Sequence, residues 1–340
     1  MKRILPLFLA LALLLTGCAA VSTTETTSQA VSQVDSPSSA LESAPESASS
    51  QLESVGEVSI TDSNGSQITL DTSAPRVVAA YGSFAEAWLL AGGELCGVTQ
   101  DALEQRDLGL PEDIAVVGTV KEPNAEEIIA LEPDLVLLAS DITAQADIRD
   151  VLENAGLACA FFQVDTFADY AFMMEQLCAI TGRDDLYEEN VTQVGQQIEE
   201  AQANAALAST RPNVLLIRAF STGIKAKTDD ELAGAILKDL GAHNIADDHP
   251  SMLEDLSLEE VIAADPDYIF VTTMGDEQKA LDYLNGLIQQ NPAWSELSAV
   301  KEDRYIVLPK DLFHYKPNNR WGESYQYLGE ILYPVFFDEA

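Results

Sequence analysis

Two stretches of the chain share one pattern of polar and apolar positions. Residues 124–138 read NAEEIIALEPDLVLL, and residues 257–271, which lie 133 positions further on, read SLEEVIAADPDYIFV. The Glu-Glu pair, one Ile, one Ala and the Pro-Asp pair are identical, and most other positions exchange one apolar residue for another. Because solenoid repeats have periods of roughly 20–50 residues, this offset indicates two copies of one lobe. A cleft between two such lobes is where a small ligand is expected to bind.

Each copy predicts a capped helix that is followed by a buried strand. Asn124 and Ser257 are favourable N-caps, and each has a glutamate three residues later, as in a capping box. The helix has to end before the proline, because the residue that precedes proline disfavours the α conformation. The apolar runs 135–138 and 268–271 then suit strands that are buried on both faces. Helix, Pro-Asp turn and strand form half of a βαβ unit, so the predicted fold class is α/β.

Patterns elsewhere complete this picture. Residues 58–70 predict a leading hairpin with an Asn-Gly turn. Ser83 and Thr228 are predicted to cap further helices, because each has a glutamate three residues later. Apolar residues at helical spacing over 184–209 predict the longest helix. No strand is predicted close to it, so we interpret it as the single link between two Rossmann-like lobes, each with a central sheet.

The first residues have the pattern of a processing signal. Lys2 and Arg3 precede the apolar stretch 4–15, which is too short for an ordinary membrane span. The stretch ends in the sequence LTGC, which matches the lipobox of bacterial lipoproteins and implies cleavage before Cys18 and acylation of its thiol. A plain secretory signal with an incidental cysteine is the alternative. The next residues, up to 57, are rich in Ser, Thr, Ala, Gln and Glu and cannot bury enough apolar surface to fold, so we interpret them as a tether.

These patterns divide the chain into five parts. They are a signal peptide (1–17), the lipidated cysteine with a disordered tether (18–57), an N-terminal lobe (58–182), a linking helix (183–210) and a C-terminal lobe (211–340). Roughly 280 residues follow the tether, which is enough for two lobes with cores of their own.

The charge of the chain excludes some partners. The net charge is −38, from 56 acidic and 18 basic residues, which argues against nucleic acid and against attraction to anionic lipid. Contact with a membrane is therefore expected through the acyl anchor alone. Beyond Cys18, the cysteines are Cys96, Cys159 and Cys178, without CxxC spacing. The apolar surroundings of the last two favour buried thiols, and a disulfide among the three is the alternative.

Lipobox, tether, two α/β lobes and one long linking helix together resemble the substrate-binding proteins of ABC importers for iron-siderophore complexes, haem and vitamin B12, the class III periplasmic binding proteins. The resemblance covers about residues 70–335 and depends on the doubled glutamate-bearing segment and on residues 75–93, PRVVAAYGSFAEAWLLAGG. It implies lobes that move little about a rigid helix, a permease dimer with its ATPase as partner, and neither catalysis nor a cofactor. We therefore expect an anchored protein on the extracytoplasmic face of the membrane that captures a ferric siderophore, with haem or cobalamin as the alternative.

The resemblance also implies permease-docking residues. One exposed glutamate in each lobe docks on arginines of the permease in this family, and the matching positions are Glu126 and Glu259. Each is the second residue of its predicted helix. Without the resemblance, both are solvated charges whose interaction with the helix dipole contributes about 0.3–1 kcal/mol.

The family binds its ligand between the loops that follow the strands of each lobe. In the first lobe this implies Tyr81, Ser83 and Phe84, and less directly Lys121. In the second lobe it implies Arg218, Phe220, Lys225 and Lys227, together with His314, Tyr315, Lys316, Arg320 and Trp321 of the segment FHYKPNNRW.

The chemistry of these residues suggests an anionic iron complex. Basic residues are scarce in this chain, so their grouping predicts an anionic ligand such as a ferric catecholate or haem. The alternative is that they balance neighbouring carboxylates. His314 and Tyr315 are competent iron ligands, with Tyr81 as the opposite axial group if haem is bound. A hydrogen-bonded structural histidine is the alternative for His314, and Trp321 fits a core position as well.

Two other classes of function find little support. An importer for bare zinc or manganese needs a first shell rich in histidine, and the chain has three histidines. An anchored hydrolase is the main alternative of another class, but the sequence has neither a Gly-x-Ser-x-Gly elbow nor a Gly-x-x-x-x-Gly-Lys phosphate loop.

Overall fold

A computed structural model describes residues 57–254 and 256–337. The predicted signal peptide, the predicted acylation site Cys18 and almost all of the predicted tether lie outside the described residues. No helix within the described ranges has both the length and the apolar composition that a membrane span requires.

The first lobe is built on a parallel five-stranded sheet. The leading hairpin of β1 (Val58–Thr61) and β2 (Gln67–Leu70) is antiparallel, as predicted. The strands that follow are β3 (Val77–Ala79), β4 (Leu95–Val98), β5 (Ala115–Val116), the small hairpin β6 (Gly118–Thr119) and β7 (Glu122–Pro123), β8 (Leu135–Ala139) and β9 (Ala158–Phe162). The sheet has the order β5-β4-β3-β8-β9. The helices are α1 (Gly82–Leu90), α2 (Asp101–Glu104), α3 (Ala125–Ala130), α4 (Thr143–Asp147), α5 (Arg149–Asn154) and α6 (Phe167–Thr181).

One helical run leads to the second lobe, as predicted. It consists of α7 (Asp184–Tyr187), a π-helical turn (Glu188–Thr192) and α8 (Gln193–Ala206). The strands of the second lobe are β10 (Asn213–Phe220), β11 (Gly223–Lys227), β12 (His243–Asn244), β13 (Tyr268–Thr273) and β14 (Tyr305–Val307). They form the order β11-β10-β13-β14, with β12 also paired to β10, and only β11 is antiparallel.

The helices of the second lobe surround this sheet and lead back to the first lobe. They are α9 (Leu232–Asp239), α10 (Ser251–Glu254), α11 (Leu258–Ala264), α12 (Glu277–Gln290), α13 (Ser298–Lys301), α14 (Lys310–Phe313), α15 (Trp321–Leu332) and α16 (Pro334–Phe337). Short 3-10 turns lie at Ile245–Asp247, Pro292–Glu296 and Asn318–Arg320.

The internal repeat is preserved down to individual hydrogen bonds. The Asp134 carboxylate accepts a bond from the backbone N–H of Arg76, at 2.7 Å, and the Asp134 N–H donates to the Arg76 carbonyl at 2.9 Å. Asp267 makes the same two bonds with Asn213, both at 2.8 Å. Each aspartate therefore fixes the start of the neighbouring strand to the start of its own. The residues before the two prolines, Glu132 and Asp265, both have left-handed φ angles, of 48° and 42°, which agrees with their exclusion from the right-handed α region.

Local capping follows the prediction in part. Asn124 accepts bonds from the N–H groups of the second and third helical residues, and Ser257 accepts one from Glu260. The predicted Ser83 and Thr228 caps are wrong. Helix α1 begins two residues earlier than predicted, with Tyr81 at the cap position and Ser83 buried in the first turn. Helix α9 begins after Glu231, whose carboxylate is occupied by ion pairs instead.

A single apolar core runs through both lobes. It contains Trp88 of the first lobe, Val194 and Ile198 of the linking run, Val214 of the second sheet and Trp321 of α15, all buried together. Separate smaller cores lie on the outer face of each sheet. The linking run and α15 therefore hold the lobes through shared packing and not only through the chain connection.

The three cysteines beyond Cys18 are free thiols. Cys159 and Cys178 are buried, as predicted, and burial raises their pKa values to about 12 and about 11. They are therefore unreactive structural residues.

The repeated aspartates give a test of the fold. Asp134→Ala and Asp267→Ala should each lower the free energy of unfolding by about 1–2 kcal/mol, because each leaves a strand-initiating N–H without its acceptor. Urea unfolding followed by circular dichroism measures this effect. The control is Asp113→Ala, at an exposed position. If both variants match that control, the repeated bonds do not hold the strands in register.

Candidate ligand-binding cleft

The strand order reverses once in each sheet, and each reversal defines a crevice. In the first sheet β3 lies between β4 and β8, and in the second sheet β10 lies between β11 and β13. Ligands of open α/β sheets bind outside the carboxyl ends of the strands at such a switch point. Tyr81 and Asp141 follow β3 and β8, while Phe220 and Met274 stand at the ends of β10 and β13. Met274, which is 38% exposed, gave no signal in the sequence.

Tyr81 lies in an acidic environment on the first-lobe side. Its burial and the nearby carboxylates of Asp101, Asp141 and Asp165 raise its pKa to about 12. The phenol therefore stays protonated at neutral pH and offers an O–H donor. Its surroundings oppose the phenolate that direct iron ligation requires, so the expectation that Tyr81 is an axial iron ligand finds no support in its electrostatics.

A close backbone approach lies directly after Tyr81. The Gly82 N–H donates to Asp101 Oδ2 at 2.7 Å. A Cβ at Gly82 would lie 2.7 Å from that same oxygen and 2.9 Å from the backbone nitrogen of Ala102, so only glycine fits. Asp101 is 8% exposed, and its Oδ1 atom has no hydrogen-bond partner among the described residues.

The segment 314–320 belongs to the second lobe in sequence but is bonded to the first. Asn318, which is 1% exposed, donates from its side-chain amide to the Ser83 carbonyl at 2.9 Å and to Glu86 at 2.6 Å. Lys316 donates to the Val164 carbonyl. Lys316 and Asn318 both have left-handed φ angles, of 56° and 51°. Such backbone persists when surrounding contacts hold it, and here these contacts come from the first lobe.

Arg106 is the residue at this junction that sequence reasoning missed. Its guanidinium pairs with Glu86 and donates to the carbonyl oxygens of Tyr315 and Lys316, the latter at 3.0 Å. A cavity of about 330 Å³ opens beside it between the two lobes. The cavity is lined by Glu86, Gln105, Arg106, Asp107, Asp311, Tyr315, Pro317 and Arg320. Because the Arg106 guanidinium binds a first-lobe carboxylate and two second-lobe carbonyls at once, it holds the two lobes together at one edge of the cleft.

His314 is neutral at physiological pH. Burial, together with the positive charges of Arg218 and Lys310, lowers its pKa to about 4. Lys310, another residue without a sequence signal, donates to the Gly275 carbonyl at 2.8 Å. Next to His314, Tyr315 is half-buried, with a pKa raised by desolvation and by Glu277. A neutral imidazole can accept a hydrogen bond or bind a metal without first releasing a proton.

The predicted cationic cluster is neutralised by carboxylates. Arg218 pairs with Glu231, and Lys227 lies 2.8 Å from Asp230 and 3.0 Å from Glu231. Since β11 is antiparallel to β10, Lys227 sits opposite Leu216, several residues from the cleft edge. The alternative interpretation, in which these cations balance nearby carboxylates, is therefore the one that the structure supports.

Of the other predicted basic residues, Lys316 and Arg320 also pair with carboxylates, whereas Lys225 does not pair with any in the described part of the chain. Lys316 lies 3.4 Å from Asp165, and Arg320 contacts Asp311 at 2.7 Å and Glu323 at 2.8 Å. Lys225 is exposed and makes no ion pair within the described ranges.

Three predicted lining residues belong to the core. Ser83 and Phe84 are each 1% exposed and Trp321 is 2% exposed. Phe84 packs edge-on against Tyr81 at 5.3 Å, and Trp321 packs against Phe167 at 6.3 Å. These side chains support the cleft from beneath and have no surface for a ligand, because close packing already surrounds them.

The remaining predicted residues stay accessible. Phe220 is half-buried at the end of β10, and Lys121 is exposed in the turn between β6 and β7. Glu126 and Glu259 are exposed at equivalent positions in the first turns of α3 and α11. Over residues 57–254 and 256–337, no three His, Cys, Asp or Glu side chains are grouped to hold a metal ion.

Comparison with known proteins agrees with this geometry. The family described as periplasmic binding protein matches residues 77–312, so the chain belongs to that family. Proteins of this kind bind solutes for transport and catalyse no reaction, and the resemblance inferred from the sequence is confirmed.

Among its relatives, the chain is 25% identical to the Fe(3+)-citrate-binding protein YfmC of Bacillus subtilis. The alignment spans 253 residues and covers 72% of this chain and 76% of that protein. It is 22% identical to the high-affinity heme uptake system protein IsdE of Staphylococcus aureus, over 65% of this chain and 75% of that protein.

Solved structures establish the fold. Staphylococcus aureus IsdE complexed with heme matches with a TM-score of 0.62 and 18% identity, over 76% of this chain and 99% of that one. FepB from Veillonella parvula matches with a TM-score of 0.67 and 19% identity, over 83% and 92% of the two chains. The predicted fold of two α/β lobes is thereby confirmed.

The depressed pKa of His314 predicts a dependence of stability on pH. The unfolded histidine takes up a proton near pH 6.5 and the folded one only near pH 4. The unfolded state therefore binds more protons in this window, and stability falls as the pH drops from about 6.5 to about 4. His314→Gln should reduce this acid loss by about 2–3 kcal/mol relative to the unchanged protein.

Urea unfolding at pH 7, 5.5 and 4.5 measures the effect. The control is His243→Gln, at an exposed histidine. Equal acid losses in the unchanged protein and in His314→Gln would show that His314 is not held neutral by its surroundings.

Proposed function

We propose that this protein is the extracytoplasmic receptor of an ABC importer that captures a ferric siderophore and delivers it to the permease. The observation that carries the proposal is the pair of switch points, with Tyr81 and Asp141 on one side and Phe220 and Met274 on the other. Aromatic and polar side chains at facing strand ends suit a compact ligand with an apolar surface and several donors and acceptors.

Iron as the cargo is supported by the relatives. One is named for ferric citrate and another for haem uptake, and a similar solved structure is SirA of Staphylococcus aureus complexed with staphyloferrin B. These three proteins are 19–25% identical to this chain and support an iron complex as the class of ligand. Which iron complex is bound has to be inferred from the residues of this cleft.

Haem is the second candidate, because His314 is neutral and half-buried. A neutral imidazole is ready to bind haem iron through its free nitrogen. Tyr81 is a poor opposite ligand, since the nearby carboxylates disfavour its phenolate. The siderophore remains our first choice for this reason.

Membrane attachment and docking complete the proposal. Acylation of Cys18 would hold the protein at the membrane, and the tether up to residue 57 would let it reach the permease. Glu126 and Glu259 would then dock on cationic residues of the two permease subunits. Their equivalent positions in the two repeats suit a partner with twofold symmetry.

The ligand class can be tested by titration of the full chain. Tryptophan fluorescence and absorbance should show saturable submicromolar binding of a ferric hydroxamate, and weaker binding of a ferric catecholate, haemin and cobalamin. Tyr315→Ala should weaken the bound complex at least tenfold, because its half-buried ring borders the cavity.

The control is Tyr283→Ala, at an exposed tyrosine of α12. Tight haemin binding with a Soret shift that His314→Ala abolishes would establish haem as the ligand instead. No binding of any of the four compounds would contradict the iron-complex proposal.

Docking can be separated from ligand capture. Glu126→Ala combined with Glu259→Ala should leave ligand affinity unchanged and lower uptake of the iron complex in cells at least tenfold, because two charge contacts with the permease are lost. Glu127→Ala, which changes the exposed neighbour of Glu126, is the control. Undiminished uptake in the double variant would refute the docking roles.

A further inference from the structure

Four cations around the cleft are each paired with a carboxylate of this chain, whereas the exposed Lys225 makes no ion pair within the described ranges. Arg106 pairs with Glu86, Arg218 with Glu231, and Lys316 with Asp165. The fourth cation of this set, Lys310, lies 3.7 Å from Glu277 and donates to a backbone carbonyl. An anionic ligand that bound to one of these four paired cations would have to replace its carboxylate and leave that carboxylate unpaired in a partly buried site, which is unfavourable.

Two carboxylates beside Tyr81 are left without a cation. Asp101 and Asp141 both act electrostatically on the Tyr81 phenol, and neither forms an ion pair within the described part of the chain. Asp141 is exposed at the end of β8, whereas Asp101 is 8% exposed. They stand at the first-lobe switch point, where the topology places a ligand.

An unsatisfied polar atom marks the same place. Asp101 Oδ1 is buried and has no hydrogen-bond partner among the described residues. Buried polar atoms are almost always satisfied in native proteins, so each one left open calls for a partner. The carboxylate oxygen of Asp101 needs a hydrogen-bond donor as its partner. A positively charged donor forms a stronger hydrogen bond with a carboxylate than a neutral donor does.

We propose that Asp101 and Asp141 form an acceptor site for a cationic group of the ligand, so that the cleft selects ferric complexes of positive net charge over neutral and anionic ones. This inference depends on the proposed function, since it assigns the charge of the iron complex. A protonated amine on a siderophore arm meets the requirement, because it supplies both the charge and several N–H donors.

The test compares three ferric complexes on one scaffold. They are a linear ferric trihydroxamate that ends in a primary amine, the same complex with the amine acetylated, and the same complex with the amine succinylated. Their net charges are positive, zero and negative at nearly constant shape. Affinity measured by fluorescence quenching at low salt should fall in that order, at least tenfold from the first to the last, and the spread should narrow at high salt.

Variants connect the selectivity to the two aspartates. Asp141→Asn, and the double variant that adds Asp101→Asn, should lower affinity for the amine complex at least fivefold and leave the acetylated complex unchanged. Asparagine at position 101 keeps an oxygen that can accept the hydrogen bond from the Gly82 N–H. If the double variant does not fold, the single variant at the exposed Asp141 still tests the charge selection. Asp113→Asn is the control at another exposed aspartate of the first lobe.

The outcomes separate this inference from the proposed function. Binding of all three complexes with equal affinity, or tighter binding of the succinylated complex or of ferric citrate, would overturn the charge selection and leave the receptor function standing. Unchanged selectivity in Asp141→Asn and in the double variant would overturn the assignment to these residues. No binding of any ferric complex would overturn both.

Discussion

The apolar core that both lobes share is the constraint on which the rest of this structure depends. Val194 and Ile198 of the linking run and Trp321 of α15 are buried in the same cluster as residues of both sheets. Because interiors are close-packed and resist deformation, this cluster fixes the two lobes relative to each other. The cleft is therefore formed by the fold itself. Its polar edges are the residues that follow the strands, at the points where the strands extend beyond the packed core.

The shared core also explains the polar contacts around the cleft. Once the lobes are held together, the segment 314–320 lies against the first lobe, where Asn318 and Lys316 satisfy backbone carbonyls and Arg106 satisfies two carbonyls in return. Left-handed backbone at Lys316 and Asn318 is stabilised by these bonds. A ligand thus meets an edge whose hydrogen bonds are already made, while beside Tyr81 the Oδ1 atom of Asp101 has no hydrogen-bond partner among the described residues.

The structure changes the interpretation of the basic residues near the cleft. In a chain with a net charge of −38, the grouping of the few basic residues predicted a binding site for an anion. In three dimensions an excess of carboxylates means that nearly every cation near the cleft finds a partner within the protein, as Arg218 finds Glu231 and Arg320 finds Asp311. The scarce feature at the first-lobe strand ends is an unpaired carboxylate that is also buried, and Asp101 is that residue.

The sequence by itself determined what depends on local chemistry and on repetition. The doubled segment predicted two α/β lobes, the caps at Asn124 and Ser257, the strands after each Pro-Asp pair and the long linking run, because propensity, capping and alternation act over a few residues. Tertiary structure alone decided which side chains face the cleft. Ser83 and Trp321 became core, while Arg106 and Lys310 came to the edge, since contacts such as those of Arg106 with Tyr315 join residues more than 200 positions apart. Pairing at such separations depends on how the lobes pack, and no local pattern records it.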